Sequence, residues 1–169
     1  MFFLRPISKQ NIHRLGKLIG VALLVTSSLT TQAQISTGNV PGTSLESLMP
    51  DLLKADSADK ALSIFKPAVS KTQLVKSDYL LLDSPAIASA GLIQVRLMSE
   101  LPGTELFLLL NATPAKGEPT VLAAQEIPNM SKADIRVKIK LAKNSELLLV
   151  VRAGGKWYSV TNDVKVVTK

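Results

Sequence analysis

From residue 74 to the C-terminus the chain is a succession of short β-type segments between turn signals. Candidate strands fall at residues 74–82, 92–98, 105–110, 120–125, 135–141, 146–152, 157–160 and 164–168. A spacing of about 8 to 15 residues favours an antiparallel sandwich or barrel over a sheet with crossover helices. The apolar run Leu147-Leu148-Leu149-Val150-Val151 breaks at Gly154-Gly155 and resumes at Trp157-Tyr158-Ser159-Val160, which predicts a buried strand, a tight turn and a returning strand. Trp157, just after that turn in a chain without cysteine, is expected to be largely buried. Asn162-Asp163 can open a further turn before a last half-exposed strand. The clearest alternation is Asp134-Ile135-Arg136-Val137-Lys138-Ile139-Lys140-Leu141, one face apolar and the other charged, as expected of a strand between core and water.

Before residue 74 the pattern is different. Residues 35–42 are polar with Gly and Pro and read as a tether. Thr43 and Glu46 have the spacing of a capping box, and Leu45, Leu48, Leu52 and Leu53 then fall on one face of a short helix that Pro50 should kink or restart. Asp56 or Ser57 can cap a second short helix carrying Ala61, Leu62 and Phe65, which Pro67 ends.

The chain carries 20 lysines and arginines against 13 acids, a formal charge of +7, but the excess is uneven. Arg5, Lys9, Arg14 and Lys17 lie in the first 20 residues, where there is no acid, and the rest of the chain is only weakly basic. That charged stretch, the apolar run at residues 18–25 and the small-residue exit Thr31-Gln32-Ala33 are the three parts of a secretory signal peptide, with cleavage expected after Ala33. The apolar run is too short for a membrane-spanning helix, which takes about 20 residues, so no stable insertion is expected after cleavage. No twin-arginine pair is present. The expected organisation is a signal peptide at 1–33, a tether with short helices at 34–73 and a sandwich at 74–169.

The exported chain would contain no cysteine, and its only histidine, His13, leaves with the signal. Ser-His-Asp and Cys-His catalysis and any His or Cys metal site are therefore excluded from residues 34–169. No pair of acids has a readable catalytic spacing, so no catalytic, cofactor-binding or metal-binding residue is assigned and no enzymatic activity is expected. Asp51, Asp56 and Asp59 lack the alternating ligands and central glycine of a calcium loop and are better read as helix-capping charges. Arg136, Lys138 and Lys140 could form a nucleic-acid stripe, but aromatic residues are 4% of the chain, and a solvated strand face that discourages edge pairing is the better account. Asn111-Ala112-Thr113 and Asn129-Met130-Ser131 are sequons, which matter only in a glycosylating host. Gly117 and Gly154-Gly155 lack the helix context of a phosphate loop and read as turns.

With the strands placed, several phrases in order resemble the SoxY family, the sulfur-compound carrier subunit of the periplasmic thiosulfate-oxidising system. They are Asp83-Ser84-Pro85-Ala86-Ile87-Ala88 with Gly91, Ser99-Glu100-Leu101-Pro102-Gly103, residues 136–143 ending in Leu-Ala-Lys, and the run from Val150 to Tyr158 followed by Val164-Lys165-Val166. The resemblance covers residues 61–169 and implies an all-β, immunoglobulin-like antiparallel β-sandwich with a short helical N-terminal segment. Relatives continue past the last strand into a Gly-Gly-Cys-Gly-Gly arm, whose thiolate carries sulfur while flanking glycines give it reach. This sequence stops at Val166-Val167-Thr168-Lys169, so no residue matches the carrier cysteine and none is assigned to that role.

What the resemblance implies is a periplasmic protein of sulfur oxidation, pairing with a SoxZ-like subunit and meeting sulfur-oxidation enzymes, without cofactor and without nucleic acid. The alternative is a cysteine-free binding or scaffold module for another periplasmic system, such as a dehydrogenase. The signal reading is open to direct measurement. Intact mass of the exported protein is expected to show a new N-terminus close to Gln34, and a dominant full-length, membrane-retained species would contradict it.

Overall fold

A computed structural model describes residues 44–128 and 132–167. The residues read as signal peptide and tether, Thr43 and the second sequon lie outside the described residues. Among the described residues no helix is long and apolar enough to cross a membrane. Two short helices, α1 (Leu45–Leu52) and α2 (Ala58–Ser63), and a 3-10 turn at Lys71–Gln73 precede nine strands. These are β1 (Val75–Lys76), β2 (Leu80–Asp83), β3 (Ile87–Ser89), β4 (Gly91–Ser99), β5 (Thr104–Asn111), β6 (Val121–Glu126), β7 (Asp134–Leu141), β8 (Ser145–Ala153) and β9 (Lys156–Val167). The larger sheet runs β1-β9-β8-β5-β6 with β3 also on β9, and the smaller runs β2-β4-β7. The fold is therefore mostly β, in two sheets, consistent with the sandwich expected from the turn spacing.

The apolar runs of β5 and β8 are continuous because both of their faces are covered. Phe107, Leu109, Leu147, Leu149 and Val151 point to the smaller sheet and meet Ile93, Val95, Leu97 and Ile139. The intervening Leu106, Leu108, Leu110, Leu148 and Val150 belong to a second core with Leu45, Met49, Leu52, Ala61, Leu62 and Phe65 of the helical segment. Strand β7 is covered on one side only. Its Arg136, Lys138 and Lys140 are exposed while Ile139 and Leu141 are buried, as its alternation predicts.

Helix α1 is 8 residues long, too short to be stable by itself. Its N-cap is Ser44, whose side chain makes no capping bond. The amide of Leu45 instead donates to Glu126 Oε1 at 2.7 Å, a bond across 81 positions from the end of β6. A carboxylate of the sheet thus fills the role assigned to a local capping box, and Glu126 is buried there. The helix passes Pro50 and ends at Leu52 rather than restarting. Met49 takes the core position expected of Leu53, which is 64% exposed. Helix α2 is capped by Ser57, whose hydroxyl accepts from the amide of Lys60.

Three details depart from the local reading of the strands. Residues 74–82 are not one strand: β1 lies parallel to β9 in the larger sheet, the chain turns at Asp78-Tyr79, and β2 pairs with β4 in the smaller. Strand β3, in a stretch outside the candidate strands, then returns to β9. Strand β9 runs 12 residues straight through Asn162-Asp163, because Asn162 keeps the phase of Val160 and Val164 and donates its amide to Ser84 Oγ at 2.9 Å. That bond satisfies the side chain across the sandwich, so it has no need to open a turn of its own. The β8–β9 hairpin is as expected, with Gly154 and Gly155 at φ of 55° and 73°, a pair of left-handed residues that glycine adopts without steric cost.

On the solvent face of the smaller sheet, Arg96 grips Asp134 with two bonds, Nε to Oδ1 and Nη2 to Oδ2, both 2.8 Å. The Arg96 hydrogen bond is the main reason that the Asp134 pKa falls to about 2; burial opposes the shift, and the charges of Arg96, Lys132 and Arg136 add to it. The folded pKa lies below the ordinary carboxylate value of about 3.9. The pair therefore contributes stability that is complete above about pH 4 and is lost as pH falls toward about 2.

Two measurements follow. Phe107→Ala is expected to cost about 3–5 kcal/mol in urea unfolding and Leu53→Ala less than about 0.5 kcal/mol; a Phe107 loss under about 1 kcal/mol would contradict the inter-sheet core. For Asp134→Asn, the deficit relative to the parent is expected to be constant from about pH 7 to 5 and to shrink as pH drops through about 4 toward 2. A deficit that does not change over that range would show that the Arg96 contact does not hold Asp134 ionised.

Candidate functional site

The acids singled out in the helical segment do not converge. Asp51 lies 3.9 Å from Lys54, Asp56 lies 3.4 Å from Lys60, and Asp59 accepts from the amide of Lys71 at 3.4 Å. Each carboxylate has its own local partner, as helix-end charges do. Among the described residues no three acidic or histidine side chains gather where they could hold a metal ion. Asn111 of the first sequon is 1% exposed, and its Oδ1 accepts from the amide of Thr113, so the folded chain offers no room for a glycan there. Gly117 and Gly154-Gly155 sit in turns.

Arg136, Lys138 and Lys140 do share one surface. Register places Arg96 opposite Arg136, Gln94 opposite Lys138 and Leu92 opposite Lys140, all on the solvent face of the smaller sheet. Leu92 is 66% exposed among these charges. One of the four cations, Arg96, is neutralised by Asp134. The result is a mildly basic, mixed face whose only bidentate contact is internal. Nucleic-acid recognition on single strands needs stacking aromatics beside the cations, and none is opposite this row.

The other feature with chemical content is a cleft of about 550 Å³ at the end of the larger sheet's helix-covered face. Helices α1 and α2 pack on that face, and beyond Phe65 the chain rims the cleft with exposed Lys66-Pro67-Ala68 before Val69 is buried again in the same core. Trp157 borders this opening and is half-buried rather than largely buried as expected. The reason is phase: one position after Lys156, its side chain falls on the opposite face of β9 from Tyr158, Val160 and Val164. Its ring packs against Phe65 with centroids 5.0 Å apart, tilted by 58°.

Arg152, its cross-strand partner, places its guanidinium 5.9 Å from the Trp157 centroid, within cation–π range. Arg152 Nε also lies 2.6 Å from Glu105 Oε2, yet that N–H is not aimed for a hydrogen bond. The contact is an ion pair by distance, without the directional component that the Arg96–Asp134 fork has. Lys66 and Lys156 stand at the rim, exposed, and neither has an ion-pair partner among the described residues. This assembly was hidden from sequence reasoning because its members come from four separate parts of the chain. The one available signal was the pairing of Arg152 and Trp157 across a two-glycine turn.

No family model matches the chain, and no curated protein matches it. Among solved structures it is similar to the sulfur carrier protein SoxY from Chlorobium limicola f thiosulfatophilum, at 25% sequence identity and a TM-score of 0.50, over 56% of this chain and 84% of that one. It is also similar to a superoxide reductase (neelaredoxin) from Ignicoccus hospitalis, at 14% identity and a TM-score of 0.51, over 57% of this chain and 97% of that one. The second likeness shows the fold alone. The chain has a SoxY-like fold.

Proposed function

We propose that this protein is a SoxY-type sandwich module of periplasmic sulfur (thiosulfate) oxidation that pairs with a SoxZ-like subunit through its folded domain. The observation that carries the reading is the likeness to SoxY, which spans most of that carrier's length. The phrases of the family resemblance support it by their position. Asp83-Ser84-Pro85 leads from β2 to β3, Leu101-Pro102-Gly103 joins β4 to β5, and Gly154-Gly155 joins β8 to β9. In this reading the two sheets have the immunoglobulin-like arrangement, export is by the signal at residues 1–33, and the module is not itself an enzyme.

The chemistry sets the division of labour. Reversible bonding to sulfane sulfur needs a thiolate, and these 169 residues contain no cysteine. The residues in hand therefore act as a pairing surface, and sulfur loading needs a thiol that they do not supply. A superoxide-reducing role draws no support beyond the shared fold, because residues 34–169 contain neither imidazole nor thiolate to hold a redox metal. The lack of cysteine also favours one second reading, a binding or scaffold module for another periplasmic system.

The purified protein is expected to form a complex with a SoxZ-like subunit at about micromolar concentration and to keep its mass after incubation with thiosulfate and an oxidising partner enzyme. Appending Gly-Gly-Cys-Gly-Gly after Lys169 is expected to make loading possible and thiol-dependent without a change in fold. A sulfur adduct on the unmodified chain would refute the division of labour. Failure to bind a SoxZ-like subunit would put the scaffold reading ahead.

A further inference from the structure

We infer that the cleft beside Trp157 is a binding site for a small organic anion with an apolar body, a carboxylate or sulfonate. The inference is independent of the SoxY-type reading. Trp157 is the largest side chain in the molecule and the only tryptophan, and the fold leaves it only partly buried. Burying the rest of the indole is worth on the order of 1 kcal/mol, and what points to a ligand is that the exposed part adjoins a second apolar side chain in one cleft. Val75, beside it in the same cleft, is also 52% exposed. Both lie where the helical segment stops short of the end of the larger sheet.

Charge then selects the ligand. Lys66, Arg152 and Lys156 line the cleft against one carboxylate, Glu105, which Arg152 already engages. The two lysines are left without an ion-pair partner among the described residues, so the cleft attracts an anion. Arg152 is held half-buried at 25% exposure between Glu105 and the indole. A guanidinium held in this way has lost part of its water and has donors left over for a planar acid group. The cleft, at about 550 Å³, has room beside its cations for the apolar body of a small organic molecule, which a bare inorganic oxyanion would leave unfilled. The arrangement that results has an acid group at the cationic rim and an apolar body against Trp157, Val69 and Val75.

Because Trp157 is the only tryptophan, its emission reports on this cleft alone. Benzenesulfonate titrated into the full-length protein is expected to change that emission saturably, with a Kd of about 1 mM or tighter. Benzylammonium and inorganic sulfate at the same concentrations are expected to give no saturable change. Lys66→Glu with Lys156→Glu, at two exposed positions without an ion pair among the described residues, is expected to weaken benzenesulfonate by about tenfold or more while leaving the urea midpoint unchanged. No saturation with benzenesulfonate would overturn the inference. So would binding of benzylammonium or sulfate as tightly as benzenesulfonate, or an affinity that the double charge reversal leaves unaltered at full stability.

Discussion

The constraint on which the structure depends is that β5 and β8 are apolar on both faces. A strand with one apolar face needs one partner layer, but these two need two. The smaller sheet covers Phe107, Leu149 and Val151, and the helical segment covers Leu108, Leu148 and Val150. Short as they are, α1 and α2 are therefore part of the core and not an appendage. Without them a continuous apolar stripe at the centre of the larger sheet would face water. The bond from Leu45 to Glu126 fixes where that cover begins, and it satisfies a helix amide and a buried carboxylate together.

The same layering decides what each arginine pair does. Arg96 and Asp134 face each other across neighbouring strands with a bidentate fork, so they are satisfied by each other and tie β4 to β7. Arg152 and Glu105 sit where the helical cover ends, beside an open aromatic wall, and their contact is close but poorly directed. One pair is complete by itself; the other is the inner boundary of a cleft whose rim carries two lysines without ion-pair partners among the described residues.

The sandwich is shared with SoxY and with a superoxide reductase, so the layers themselves carry no function. What distinguishes this chain is its chemistry within that frame. It offers no thiol or imidazole in residues 34–169, one mixed basic sheet face, and one cleft where cations meet an indole. Pairing and ligand binding are activities such a surface can support, and covalent carriage of sulfur by these residues is not.

The sequence by itself determined what depends on neighbours a few positions apart. The Gly154-Gly155 hairpin, the two faces of β7, a cap of α2 at Asp56 or Ser57 and the composition that rules out thiol chemistry were all legible, because turn chemistry, strand alternation and side-chain identity are local. Only the tertiary structure decided which segments share a sheet: why residues 74–82 divide between two sheets, why Asn162 stays within β9 to reach Ser84, and why Glu126 caps a helix 81 positions away. It also decided which of two apolar layers each buried side chain joins. A continuous run such as residues 147–151 signals burial but not what lies on either face, and the expectation that Trp157 is largely buried named no layer for it. Its phase on β9 turns it toward Phe65, Arg152 and the end of the helical cover.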